Sequence, residues 1–248
     1  MPFYNDLRPS RDDGKQPYAL IFPDLTNPER VAIIDGLLQL KQGLDADIPP
    51  KLTDRNLLIA SWNIKQFGEL RQRRPEAFFY MAEIIARFDL VVIQEVASNH
   101  RDLGRLMRLL GSGWDYVIND STDGIAGNME SSAFLYNKAR VRPTGTVGEL
   151  VLWQELLEKH GTVDPATGKR LLEQIQRTPF FMRLRAGWKT FSLLSLHLEP
   201  GDADPKVRTR SEEVKLLLAA LAAKAGERWT ENLFLTGDFN FYDVKDAP

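Results

Sequence analysis

Four short apolar segments, each ending in a polar side chain, constrain the fold of this chain more than any other feature of its sequence. They run to Asn63, Glu95, His197 and Asp238. Short apolar runs bounded by turn residues are typical of buried strands. In open α/β sheets, ligands bind in the crevice beyond the carboxyl ends of the strands. We therefore predict that the four side chains lie in one cleft, although they come from distant parts of the chain.

The segments between these strands favour an α/β fold. Pro75 begins a predicted helix whose apolar residues recur at helical spacing. Gly111 ends a second predicted helix, which Ser98 or Asn99 is expected to cap. Strands and helices in alternation are the pattern of the α/β class.

The first 50 residues are predicted to form an accessory segment, and residues 51–248 the main domain. Residues 1–26 are polar and punctuated by proline, which is typical of an arm on a surface. Asn27 is predicted to cap a helix that has Pro28 in its first turn and ends at Gly43. Two roles stay open for this segment: a helix packed on the main domain, or a separate site for a protein partner.

Composition excludes several classes of protein. The chain of 248 residues, 43% of them hydrophobic, is long enough to bury a full core in one large domain. A formal net charge of −2 excludes a domain that binds nucleic acid through bulk positive charge, but a local basic patch remains open. The chain has no cysteine, which excludes disulfides and thiolate metal sites. Because the sequence shows no signal-like or membrane-spanning segment, we expect a cytoplasmic protein without a membrane partner.

Glu95 is the clearest candidate for a metal ligand. A carboxylate at the end of a buried strand is too costly to leave unpaired, so a cation or a basic side chain is expected beside it. Hard oxygen ligands suit Mg²⁺, which takes one or two protein carboxylates and keeps several waters. Asn63, an amide at the end of another apolar strand, also needs partners. The residues alone leave a structural salt bridge for Glu95, and a loop contact for Asn63, as alternatives.

His197, Asp238 and Asn240 are candidates for acid–base chemistry and phosphate binding. Glu130 precedes another strand and could orient the His197 imidazole, but a buried structural histidine is the alternative. Gly237 is predicted to break the last strand, after which Asp238 and Asn240 alternate along an extended segment and face the same side. Asp238 would orient or deprotonate a water while Asn240 holds a phosphate oxygen.

Six short motifs, in this order and spacing, resemble the endonuclease/exonuclease/phosphatase superfamily, and above all its deoxyribonuclease I-like nucleases. The resemblance covers about residues 55–248 and rests on WNIKQF, VIQEV, ESSAFLYN, RTPF, LLSLHLEP and LTGDFN. It implies an α/β fold, a four-layer sandwich of two mixed β-sheets flanked by helices, with the site at their shared edge. An N-terminal helical arm would precede this sandwich.

The resemblance also implies a role for each candidate residue and a divalent cofactor, Mg²⁺ or Mn²⁺. Asn63 and Glu95 would belong to the metal and phosphate site. Glu130 would pair with His197 in the catalytic group. Contact with the substrate phosphate and positioning of the attacking water would fall to Arg177, Asp238 and Asn240.

The resemblance is incomplete at the end of the chain. The superfamily has a later Asp-His motif, usually S-D-H, and nothing after Asn240 matches it. An aspartate normally found between the two motifs is not identified either, unless Asp243 or Asp246 takes that role. We therefore expect a domain that is incomplete at its carboxyl end, which puts the activity of this polypeptide in doubt.

The predicted function is a Mg²⁺-dependent phosphodiesterase, an endonuclease that hydrolyses DNA through attack of a metal-activated water. No nucleophile motif such as G-x-S-x-G occurs, so no covalent intermediate is expected. Arg71, Arg73 and Arg74 follow the first strand and would either track a nucleic-acid backbone or face solvent. The alternatives are a phosphatase or phospholipase of the same superfamily, and a catalytically dead scaffold that binds a protein through 1–50 or 150–176.

Overall fold

Five α-helices and eight strands follow one another along the described part of the chain, in a computed structural model that covers residues 1–9, 20–68, 73–120, 130–201 and 206–242. No helix in these ranges is both long enough and apolar enough to cross a membrane. The helices are α1 (Asn27–Asp47), α2 (Pro75–Ala86), α3 (Arg101–Leu110), α4 (Gln154–His160) and α5 (Lys206–Ala223). The strands are β1 (Ile59–Phe67), β2 (Leu90–Ala97), β3 (Trp114–Ile118), β4 (Glu130–Asn137), β5 (Arg142–Glu149), β6 (Phe180–Ala186), β7 (Lys189–His197) and β8 (Leu233–Asp238).

The strands form two mixed sheets of four strands each. The first has the order β1-β2-β4-β3 and the second the order β5-β6-β7-β8. The pairs β1/β2 and β7/β8 are parallel, and the other neighbours are antiparallel. The carboxyl ends of β1 and β2 therefore lie at one edge of the first sheet, and those of β7 and β8 at one edge of the second.

Apolar residues on both faces of each sheet build four layers. Leu90 and Val92 of β2 pack between the sheets with Phe180 of β6. Val91 lies between them in sequence, faces the other way and packs with α1, α2 and α3. Leu194 of β7 likewise packs with α4 and α5. Strands buried on both faces have near-continuous apolar sequences. The predicted four-layer α/β sandwich is confirmed.

The helix α1 has different ends from those predicted. Its cap is Thr26, not Asn27, because Thr26 and Glu29 form a capping box in which the Glu29 carboxylate accepts the Thr26 N–H at 2.8 Å. The helix also runs past Gly43 and ends shortly before Pro49. A single glycine costs only about 1 kcal/mol inside a helix, whereas proline excludes it.

Two further elements differ from the predicted pattern. The helix α3 follows His100, which has a left-handed backbone with φ 49°, rather than Ser98 or Asn99. Asn99 instead accepts a backbone N–H in the first turn at 3.0 Å. The sequence does not predict β5, because this edge strand is largely exposed and contains Pro143 and Gly145, which interrupt any strand pattern.

The described residues at the beginning of the chain pack against α1, and α1 packs against α2. Ile33 and Leu37 of α1 share a core with Phe79 of α2. Asp6 is 3% exposed, and its carboxylate accepts two backbone N–H groups of the segment that leads into α1. Arg30 of α1 donates through Nε to the Asp6 carbonyl oxygen at 2.9 Å. These contacts fix the beginning of the chain on the helical layer of the first sheet.

Asp89 joins several segments at the edge where β2 begins. Its carboxylate is fully buried and accepts the N–H of Leu58 at 2.9 Å and Nε of Arg140 at 3.1 Å. The ammonium group of Lys51 lies 3.6 Å away. Arg140 also donates to carbonyl oxygens of the segment before β1. The buried charge is thus balanced by two cations and a backbone amide.

Arg140→Met should lower the free energy of unfolding by about 3–5 kcal/mol, because it leaves Asp89 charged, buried and without its hydrogen-bonded cation. Urea denaturation measures the change. The matched control is Arg142→Met, which alters an exposed arginine nearby and should change stability by less than about 0.5 kcal/mol. Equal losses in the two variants would contradict this role of the ion pair.

Candidate active site

Five predicted site residues from both sheets meet at one edge of the sandwich. Asn63 lies on β1 and Glu95 on β2, while His197 and Asp238 are the last residues of β7 and β8. Glu130 is the first residue of β4, which runs antiparallel to β2 and so begins where β2 ends. The structure brings these side chains together, and their roles stay predictions.

The side-chain amide of Asn63 joins the two sheets at this edge. Its Nδ2 donates to Glu95 Oε1 at 2.7 Å and to Asp238 Oδ2 at 2.9 Å. Its Oδ1 accepts the N–H of Lys65 at 2.9 Å. Two carboxylates therefore converge on one NH₂ group. Because like charges this close repel, the arrangement favours a cation beside them.

The backbone is distorted where β1 and β2 carry these residues. The strand register shifts after Asn63 on β1 and after Ile93 on β2. Glu95 has φ 59° and Gln66 has φ 51°, and the Gln66 N–H donates to Glu95 Oε2 at 2.8 Å. A left-handed backbone costs a non-glycine residue about 1–2 kcal/mol, and such outliers cluster at functional sites. The two register shifts thus change the direction of the Glu95 side chain and place the Gln66 N–H beside its carboxylate.

His197 lies between two carboxylates. Its Nδ1 is 3.7 Å from Glu130 Oε2 and its Nε2 is 3.8 Å from Glu95 Oε1. Both distances are too long for a hydrogen bond. The expected pairing of Glu130 with His197 is therefore a contact at 3.7 Å rather than a hydrogen bond. Glu130 Oε2 accepts a hydrogen bond from Arg177 Nε at 3.2 Å. No local pattern predicts this bond, since the two residues are 47 positions apart.

The surroundings of His197 keep its imidazole neutral at pH 7. Burial, followed by the Arg177 guanidinium, lowers the pKa of His197 to about 4, although Glu95 and Asp238 oppose the shift. A neutral imidazole offers one N–H and one lone pair. His197 can therefore donate to a phosphate oxygen without adding a positive charge to the cleft.

Asp238 and Asn240 form a tight turn after β8. The N–H of Asn240 donates to Asp238 Oδ1 at 3.0 Å, and Asn240 Nδ2 donates to the Leu198 carbonyl oxygen at 2.8 Å. The amide of Asn240 has a second N–H for a phosphate oxygen, which is the role predicted for it. Asp243 and Asp246 lie outside the described residues.

Gly237 does not break β8, contrary to the prediction. The strand continues through Gly237 to Asp238 and stays paired with β7. Gly237 has φ 141°, and a Cβ there would lie 1.9 Å from the Leu196 carbonyl oxygen. A residue without Cβ is needed for this close approach. It keeps Asp238 in register with His197 on the neighbouring strand.

A hydrogen-bonded polar layer lies between the sheets next to the site. The amide of Gln94, which is 1% exposed, donates to Ser61 at 3.2 Å and to Ser195 at 3.4 Å. Ser195 donates to Ser132 at 3.3 Å. Each of these residues lies one or two positions from a site residue on its own strand. The available signal in the sequence is the amide of Gln94 inside an apolar run, since buried amides need partners.

The side chains at this edge fit a divalent cation. One ligand atom from each of Glu95, Glu130 and His197 lies within 4.8 Å of the others. Carboxylate oxygens are preferred by Mg²⁺, and imidazole and carboxylate together suit other divalent metals. Asn63 presents its nitrogen to the carboxylates, so a role for Asn63 as a metal ligand requires its amide to turn over.

One of the three arginines predicted to face nucleic acid or solvent, Arg73, instead makes contacts within the protein. Arg73 donates to the Lys65 carbonyl oxygen at 3.0 Å, and its guanidinium lies 5.5 Å from the centre of the Phe67 ring. Arg74 is exposed and pairs with a neighbouring carboxylate at 3.4 Å. Arg71 lies outside the described residues. Arg73 therefore contacts β1.

Curated relatives with sequence similarity to this chain are deoxyribonucleases. Deoxyribonuclease-1 from Homo sapiens is 24% identical over 194 residues, which cover 75% of this chain and 61% of the relative. Deoxyribonuclease gamma from Homo sapiens is 28% identical over 193 residues, which cover 73% of this chain and 55% of the relative. The chain spans about three fifths of the length of these relatives. No family model matches it.

The similarity covers about three quarters of this chain. The chain is similar to the deoxyribonuclease I-like members of the endonuclease/exonuclease/phosphatase superfamily. A crystal structure of TDP2 from D. rerio, complexed with single strand DNA product, aligns with this chain at a TM-score of 0.49 and 16% identity, over 78% of this chain and 64% of its own. A functionally unknown protein from Enterococcus faecalis V583 aligns at a TM-score of 0.49 and 19% identity, over 75% of this chain and 67% of its own.

The lowered pKa of His197 makes the stability of the metal-free protein depend on pH. The free energy of unfolding is highest above the ordinary pKa of 6.5. It decreases as the pH falls towards about 4, because the unfolded chain takes up a proton in this range and the folded imidazole does not. His197→Gln takes up no proton. As the pH falls over this range, wild type should therefore lose up to about 3 kcal/mol more of its free energy of unfolding than this variant. Urea denaturation in EDTA at several pH values measures the difference. Parallel pH profiles of the two proteins would contradict a buried neutral imidazole.

Proposed function

We propose that this site hydrolyses phosphodiester bonds, with DNA as the substrate and Mg²⁺ or Mn²⁺ as the cofactor. The observation that carries the proposal is the convergence of Glu95 and Asp238, from opposite sheets, on the amide of Asn63. This arrangement provides oxygen ligands for a cation and a base for a water in one cleft. Arg177 and His197 add donors for a phosphate group beside them.

Glu95 is the proposed metal ligand. Its side chain is 16% exposed, so a hydrated cation can reach it from the cleft. Asn63 and Gln66 each donate to one of its two oxygens and hold the carboxylate in place. The cation, when bound, would supply Lewis-acid stabilisation of the charge that develops on the phosphate. Glu130 offers a second carboxylate within the same group of ligand atoms.

Asp238 is the proposed general base. One of its oxygens accepts from Asn63 and the other from the N–H of Asn240, so the carboxylate is fixed in orientation. It would accept the proton of a water whose oxygen attacks phosphorus, while the bond from phosphorus to the leaving oxygen breaks in line. A positioned base of this kind typically contributes about 10²–10⁴-fold in rate.

Arg177 and His197 are the proposed phosphate-binding residues. Arg177 is 9% exposed, and its Nη1 is buried without a hydrogen-bond partner among the described residues. A buried donor left unsatisfied costs about 1–3 kcal/mol, which a phosphate oxygen would recover. Donors placed in advance around the phosphate stabilise charge in the transition state without reorganisation.

DNA is the proposed substrate because the relatives with sequence similarity to this chain are named deoxyribonucleases. The formal net charge of −2 excludes attraction through bulk charge, so binding must rest on local contacts. Lys65 and Arg74 are exposed near the loop that follows β1 and would contact backbone phosphates. Such contacts position a nucleic acid without reading its sequence.

Cleavage of supercoiled plasmid at fixed salt tests the proposal. In a chain that also carries the Asp-His motif, the wild-type site should cleave with Mg²⁺ or Mn²⁺ and stop in EDTA. Glu95→Gln should raise the metal concentration required for half-maximal rate, because it removes an anionic ligand. Asp238→Asn should lower the rate at saturating metal by about 10²–10⁴-fold, because an amide does not accept the proton of the water. Salt is held constant because phosphate-driven binding depends steeply on ionic strength.

Asp54→Asn is the matched control for Asp238→Asn. It removes an exposed carboxylate just before β1, at the opposite end of the sandwich, and should leave the rate unchanged. Full activity in EDTA, or an Asp238→Asn variant that cleaves like wild type, would refute the mechanism.

A further inference from the structure

Glu213 of α5 is a buried carboxylate that the proposed mechanism does not use. It is 0% exposed. Its Oε1 accepts the N–H of Gln176 at 3.1 Å, and its Oε2 accepts the N–H of Glu199 at 2.9 Å. Gln176 immediately precedes Arg177, and Glu199 follows His197 by two residues. One carboxylate therefore bonds both segments that carry the proposed phosphate-binding side chains.

Arg210 holds the second of these segments from the same helix. It lies three residues before Glu213 and therefore on the same face of α5. Its Nη1 donates to the carbonyl oxygens of Glu199 at 2.9 Å and of Gly201 at 2.6 Å. The backbone of Glu199 is thus bonded to α5 through both its N–H and its C=O. This double attachment fixes the segment that follows β7.

We propose that Glu213 is a positioning residue that fixes Arg177 and His197 relative to each other, so that both reach the same phosphate group. The inference rests on the proposed function, because it assigns both side chains to one phosphate. Glu213 acts through the backbone of the two segments and touches no substrate. The helix α5 thereby holds the backbone of both segments that carry the proposed phosphate-binding side chains.

Stability alone does not account for a carboxylate at this position. Burial raises the pKa of Glu213, and the two backbone N–H donors do not cancel the shift. A carboxylate with a raised pKa destabilises the fold when it is charged at neutral pH. What the carboxylate provides is geometry, because each oxygen accepts one N–H. A glutamine would accept one and place its own NH₂ against the other.

The neighbouring Glu212 offers a matched control. It is 4% exposed and accepts the N–H and the hydroxyl of Thr162, both at 2.7 Å. Lys215 also donates to it at 3.0 Å. This carboxylate holds a segment after α4 that contains no proposed site residue. Glu212→Gln and Glu213→Gln therefore make the same chemical change at adjacent buried positions, and only the second affects the cleft.

The NMR resonance of the Arg177 Nε–H reports the position of Arg177 without requiring catalysis, since this group donates to Glu130 at 3.2 Å. Arg177→Lys removes the resonance and so assigns it. Glu213→Gln should shift or broaden the resonance, because the segment before Arg177 loses its bond to α5, and Glu212→Gln should leave it unchanged. An unchanged resonance in Glu213→Gln, or an equal change in Glu212→Gln, overturns the proposal.

Plasmid cleavage at saturating metal tests the consequence for catalysis. Glu213→Gln should lower kcat by about 10–100-fold, the scale expected for misplaced binding groups. The double variant Arg177→Met/Glu213→Gln should lose less than the product of the two single losses, because Glu213 acts through Arg177. Glu212→Gln should keep the wild-type kcat. Losses that multiply fully overturn the proposal.

The two measurements separate this inference from the function on which it rests. A wild-type chain that cleaves no phosphodiester, but shows the specific change of the Arg177 resonance in Glu213→Gln, would refute the function and support the positioning role. If Glu213→Gln does not fold, Glu213→Asp carries the same comparisons, because its shorter side chain keeps the charge but does not reach both amides. An unchanged Arg177 resonance in Glu213→Asp would then overturn the inference.

Discussion

The hydrogen bonds from Asn63 to Glu95 and Asp238 are the interaction on which the site depends. They cross from one sheet to the other and join residues up to 175 positions apart in the sequence. Each strand end supplies one group, so the bonds form only when both sheets are complete and packed. The cleft is therefore a product of the whole sandwich. This explains why the same edge collects strained backbone, as at Glu95, and buried polar contacts.

Buried polar groups near the cleft lower the stability of the fold but fix the positions of neighbouring segments. The amide of Gln94 connects strands of both sheets, and the carboxylate of Glu213 connects two loops to a helix. Apolar side chains at either position would avoid the cost of desolvation. They would also leave the neighbouring site residues without fixed partners. A sequence usually departs from its local rules at functional sites, and both departures lie next to residues of the cleft.

The sequence predicts the strands that carry the site because they are buried on both faces and read as apolar runs. The positions of Glu95 and Asp238 follow from where those runs end. Gly237 misleads, because a glycine that permits close strand pairing looks the same in sequence as one that breaks a strand. The bond between Glu130 and Arg177 is beyond prediction from local pattern, since it depends on how the two sheets pack. The exposed edge strand β5 has no apolar pattern to detect.

Broadening of histidine ring signals by Mn²⁺ tests most directly whether the cleft binds a divalent cation. The chain has three histidines, and Nε2 of His197 lies 3.8 Å from Glu95. Substoichiometric Mn²⁺ should broaden the signals of His197 more strongly than those of His100 and His160, and Glu95→Gln should remove the difference. Equal broadening of all three histidines, or selective broadening that persists in Glu95→Gln, would contradict a metal site at this edge of the sandwich.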